Sequence, residues 1–209
     1  MFRLSLATLW FVALASGIRA EDRASTLQKP IAIPANVGFS TNISDDGQVA
    51  TVLFDNAFVE LSPVVSGARG THRQTASATK VMTVNFPYKT EQRSVDMTLH
   101  IRGFCDVAPQ ANARLVVCAG SATHVVDLSA DENVELSDGA KEDYNLDEGG
   151  ADFFDEVKFV VQRHAAEPVC QLTFFLEVDR DSDQPDSGSA LLVVDTIDLS
   201  VAPPAKLKR

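Results

Sequence analysis

Val95-Asp96-Met97-Thr98-Leu99-His100-Ile101-Arg102 alternates apolar and polar side chains without a break. Successive side chains of a strand point to opposite faces. The run therefore predicts a half-buried β-strand, with Val95, Met97, Leu99 and Ile101 inward and Asp96, Thr98, His100 and Arg102 outward. Upstream, Val81 to Phe86 reads as another strand, ended by Pro87. Downstream, Ala113 to Cys118 and Thr123 to Leu128 follow, separated by Gly120, with Asp106 to Ala111 as the hairpin turn leading into them.

The same pattern fills the rest of the chain. Residues 37–43 alternate through Val37, Phe39, Thr41 and Ile43, and Asp45-Asp46-Gly47 supplies a turn signal. Val49 to Leu61 predicts a strand with a bulge or break at Asp55-Asn56, and residues 62–78 a long polar loop. Residues 129–156 hold 11 acids against the single Lys141 and predict an acidic loop. Strands resume at Val157–Gln162, Leu172–Val178 and Leu191–Val201, and Asp179 to Ser189 forms a second acidic loop. Eight or nine strands with turn signals and no helix predict an all-β domain, an antiparallel, jelly-roll-like β-sandwich over residues 36–201. A flexible N-terminal arm is expected over residues 21–35, with Pro30 and Pro34, and a basic tail over residues 202–209.

Residues 1–20 have the pattern of a cleavable signal peptide. Arg3 gives the positive start, Leu4 to Ala15 the apolar run, and Ile18-Arg19-Ala20 a small residue before the cut. That run is far short of the ~20 residues a membrane-spanning helix needs, so the expected location is secreted, extracellular or periplasmic. The formal net charge is −11, and it becomes −13 without the two arginines of residues 1–20. Binding to nucleic acid or anionic membrane draws on clustered Lys and Arg, so neither is an expected partner.

The segment Val49-Ala50-Thr51-Val52-Leu53-Phe54-Asp55-Asn56-Ala57-Phe58-Val59, the strand Val95 to Phe104 with Arg102-Gly103, and Cys170-Gln171-Leu172 together resemble a family of secreted fungal and bacterial proteins known only as a domain of unknown function. The resemblance covers residues 36–130 at most, and Cys170 sits later than the family's cysteine strand. It implies a secreted β-sandwich with no established activity, and it carries over no site residue.

Three cysteines, Cys105, Cys118 and Cys170, are expected to form one disulfide in an oxidising compartment. Cys118 lies too far along its strand to meet Cys105 across a hairpin, whereas Cys105 ends one strand and Cys170 begins another, so Cys105–Cys170 is the preferred pair. The histidines His72, His100, His124 and His164 show no zinc-site spacing, and no Gly-x-Ser-x-Gly is present, so no catalytic residue is nominated. A carbohydrate platform is disfavoured, because Trp10 leaves with the signal peptide and the aromatic phenols are only Tyr88 and Tyr144. Asn42-Ile43-Ser44 is a glycosylation sequon.

Asp179, Asp181, Asp183 and Asp186 alternate hard oxygen donors suited to Ca²⁺, but Gln184 and Ala190 stand where an EF-hand loop needs Gly and Glu. Calcium is the one candidate cofactor. The expected function is a secreted, non-enzymatic β-sandwich that binds an unidentified protein or surface ligand, or sits in an envelope. The alternatives are an extracellular hydrolase using paired carboxylates and a calcium-stabilised structural protein.

Overall fold

A computed structural model describes residues 25–33, 37–62, 77–108, 111–128, 150–163, 168–180 and 188–202. These form twelve strands: β1 Thr26–Leu27, β2 Ile31–Ile33, β3 Phe39–Ile43, β4 Val49–Phe54, β5 Phe58–Leu61, β6 Ser77–Lys89, β7 Ser94–Val107, β8 Ala111–Ala119, β9 Ala122–Asp127, β10 Ala151–Gln162, β11 Val169–Arg180 and β12 Ala190–Val201. All pair antiparallel. The first sheet runs β1-β6-β11-β8-β9, with β2 also on β6, and the second runs β10-β7-β12-β4-β3, with β5 also on β12.

The architecture is an antiparallel β-sandwich, and alternation builds its core. Met82, Val84 and Phe86 on β6, Leu172, Phe174 and Leu176 on β11, and Leu115 and Val117 on β8 line the inner side of the first sheet. Leu99 and Ile101 on β7 and Leu192, Val194, Ile197 and Leu199 on β12 line that of the second, all at 0% exposure. Each such side chain contributes about 1.5–3 kcal/mol relative to leaving it in water. On β12 the buried positions change from even to odd numbers, because a β-bulge lies between Val194 and Thr196. Asp195 is the extra residue that keeps both halves facing the core.

Both open sides of the sandwich are tied. On one side the Leu27 amide of β1 donates to the Gly47 carbonyl, at 2.7 Å, in the turn between β3 and β4. Gly47 takes a left-handed φ of 69° there, which its missing side chain allows. On the other side His124 Nε2 of β9 hydrogen-bonds Asp155 Oδ2 of β10, so a side-chain hydrogen bond links the edges of the two sheets.

Several expectations are corrected. Three strands beyond the expected nine are present: β1 and β2 come from the segment read as a loose arm, while the expected break at Asp55-Asn56 divides Val49 to Leu61 into β4 and β5. Described residues of that arm are hydrogen-bonded onto β6 rather than free. Pro87 does not end its strand, since β6 runs on to Lys89. The Pro87 carbonyl accepts from the Gln28 amide, so the donor that proline lacks faces the gap between β1 and β2, where no ladder partner is needed. The last six residues of the acidic loop at 129–156 belong to β10.

Most consequential is the link after β7. Residues 106–111 are not a hairpin turn, because β7 lies in the second sheet and β8 in the first. That crossing also undoes the predicted disulfide. Cys105 pairs in register with Ala151 and Leu192 in the second sheet, while Cys170 pairs with Phe86 in the first. Cys105 and Cys170 are buried free thiols, and Cys118 is a half-buried one. Burial pushes the Cys105 thiol above its ordinary pKa and the Cys170 thiol up to about 12.

Candidate functional site

The outward side of the second sheet carries the polar half of the alternation, and the register sorts it into rows. Glu156 of β10 lies beside His100 of β7, which lies beside Asp198 of β12, which lies beside Thr51 of β4. The neighbouring row is Phe154, Arg102, Thr196 and Leu53. The row on the other side is Lys158, Thr98, Ser200 and Val49. The bulge at Asp195 makes this possible. Without it, Thr196, Asp198 and Ser200 would continue the inward phase of Leu192 and Val194.

Side-chain contacts knit the rows together. His100 Nε2 lies 2.9 Å from Glu156 Oε2, and Lys158 Nζ lies 2.5 Å from Glu156 Oε1. These two partners, Lys158 foremost, hold the Glu156 carboxyl below its ordinary pKa. Thr51 Oγ1 donates to Asp198 Oδ1 at 2.5 Å, and Arg102 approaches the other Asp198 oxygen at 3.9 Å. The Phe154 ring joins two rows, with its centre 5.5 Å from that of the His100 imidazole and 5.8 Å from the Arg102 guanidinium. The Arg102 and Lys158 side chains are 62% and 73% exposed. Both therefore present most of their donors to water from strands whose opposite face is core.

His100 and His124 both meet carboxylates of β10, on opposite sides of the strand: Glu156 outward and Asp155 toward the other sheet. His72 and His164 lie outside the described residues, as do Tyr144, Asp181, Asp183 and Asp186. Asp179 is exposed near the end of β11. Among the described residues no group of three or more His, Cys, Asp or Glu is placed to hold a metal ion. Tyr88 is buried, and its hydroxyl has no hydrogen-bond partner among the described residues. Asn42 is exposed on β3, in register with Thr51.

Sequence reasoning placed His100 and Arg102 on a polar strand face but did not nominate Phe154, Glu156, Lys158 or Asp198. The alternation of β10, with Phe153, Val157 and Phe159 buried, was the signal that could have found the first three. No family model matches the chain, and no curated protein matches it. Among the described residues no helix is long and apolar enough to cross a membrane.

Proposed function

We propose that the chain is a secreted, non-enzymatic binding module that engages an anionic group on a surface or protein partner through the outward face of the second sheet. The observation that carries this reading is the placement of Lys158, His100 and Arg102 in three successive rows, with two of the three largely exposed. In a chain of net charge −11, these basic side chains are gathered by register, each beside a carboxylate, Glu156 or Asp198, that a ligand's anionic group would compete with. Arg102 supplies a planar fork of donors matched to a carboxylate. Phe154 beside it supplies flat apolar area for the body of the ligand. His100 and Arg102 stand on the central strand β7, and Lys158 and Phe154 on the edge strand β10, which pairs with β7 along its whole length, so little ordering is needed on binding. Export is supported by the apolar run and small-residue site in residues 1–20.

The test compares retention on carboxymethyl-dextran and on unmodified dextran, in low and high salt. The wild type should prefer the carboxylated surface, and salt should weaken that preference. The Arg102→Ala, Lys158→Ala double variant should lose it with its thermal melt unchanged. A wild type that ignores the carboxylate, or a double variant that still prefers it, refutes the assignment.

A further inference from the structure

The two outward faces differ in charge. On the first sheet, four successive rows between Pro87 and Val81 contain no ionisable carboxylate, ammonium or guanidinium group. One of these rows runs Val81, Phe175, Val116, Val125 across four strands. Val81 and Val125 are 46% and 52% exposed. The next row begins with Thr83 and includes the half-buried Cys118. Charge returns only at the rims. Lys89 stands at one end, and Glu177, Arg114 and Asp127 stand in the row at the other.

We infer that this face is the interface of a symmetric homodimer. In so acidic a chain two copies repel each other over most of their surfaces, and here they can meet without burying like charges. The rims select the arrangement. A twofold axis in the plane of the sheet, across the strands at the middle of the uncharged rows, keeps β6 over β6 and reverses the strand direction. It brings Lys89 of each copy over Thr79, with Glu177 one strand away, so opposite charges meet at both ends. The area is adequate. Four to five strands at ~4.8 Å spacing, over the ten-residue span from Thr79 to Lys89 at ~3.4 Å per residue, cover roughly 20 Å by 34 Å. At roughly 700 Å² per partner this lies in the lower part of the ~1,200–2,000 Å² total of a specific interface. Face-to-face sheets lie ~10 Å apart, so the two Cys118 Cα atoms fall about 12 Å apart, beyond disulfide reach but within that of a short bis-maleimide.

Sedimentation equilibrium of the protein at rising concentration should give twice the chain mass. A short bis-maleimide should yield a covalent dimer that Cys118→Ser abolishes, because Cys105 and Cys170 are buried. Val125→Asp, at an exposed position of edge strand β9, should weaken the dimer at least tenfold without moving the intramolecular thermal transition. Lys89→Glu should weaken it too, most clearly at low salt. A wild type that stays monomeric overturns the inference. So does a dimer that Val125→Asp and Lys89→Glu leave intact.

Discussion

Cys170 offers the sharpest test of how this core is built. Its thiol is 2% exposed on β11, in register with Phe86, and burial pushes its pKa from 9.0 up to about 12. The folded state favours the neutral thiol, whereas the unfolded chain releases the proton near the ordinary value. Between these two pKa values the unfolded chain binds fewer protons than the folded one, so stability falls as pH rises. The contribution is whole below the unfolded pKa and is lost by the folded one. At about pH 10.5 the loss should be about 2 kcal/mol, approaching about 4 kcal/mol when the whole shift has been traversed. The assay is denaturant unfolding from pH 8 to about 10.5 with reductant present, comparing wild type with Cys170→Ala. Alanine lowers stability at every pH by leaving a small cavity, but it removes the slope that belongs to the thiol. The difference between the two proteins should therefore shrink by about 2 kcal/mol across the range. Parallel curves would refute the claim that Cys170 is a buried free thiol.

Two glycines separate crowding from backbone strain. At Gly103 a Cβ would overlap the Val193 carbonyl and lie 2.6 Å from Phe153 Cζ, so Gly103→Ala should lower stability by about 1–3 kcal/mol or more in chemical denaturation. Gly120 has open space around it but a φ of 61°, so Gly120→Ala should cost only about 1 kcal/mol. Tyr88→Phe removes a buried hydroxyl without a described partner and should be neutral or stabilising by about 1 kcal/mol, as read by the melting temperature. Lys158 is the main cause of the low Glu156 pKa, so Lys158→Ala should move the Glu156 titration midpoint upward in a carboxyl-carbon NMR titration. An unmoved midpoint would contradict the pairing.

What the chain reveals before folding is which side chains are buried, and much less where their neighbours come from. The alternation through Val95 and Ile101 is visible because burial on one face imposes period two, and β7 follows it without a slip. The same logic shows on β12, where apolar positions shift phase between Val194 and Ile197, marking the bulge at Asp195. Pairing is a different matter. Thr51 and Asp198 are 147 residues apart, and His100 and Glu156 are 56 apart, so no local pattern joins them. The link from β7 to β8 shows the cost. A short stretch holding a proline between two apolar strands looks the same whether the chain folds back within a sheet or crosses to the other. Taking it as a hairpin misplaced Cys105 and suggested a disulfide that the two-sheet arrangement excludes.

The short strands β1 and β2 have a significance beyond their few hydrogen bonds. Without them, thirteen-residue β6 would present its whole outer ladder as a bare edge, with Thr79, Val81, Thr83 and Val84 along it. Such an edge is a template on which other chains can add strands, the first step toward fibrils. Thr26–Leu27 and Ile31–Ile33 occupy the Thr83–Lys89 part of that ladder, on either side of Pro87, which itself offers no donor to an incoming strand. The N-terminal segment thus shields the half of the edge nearest Lys89, and removing it would open that half to strand addition.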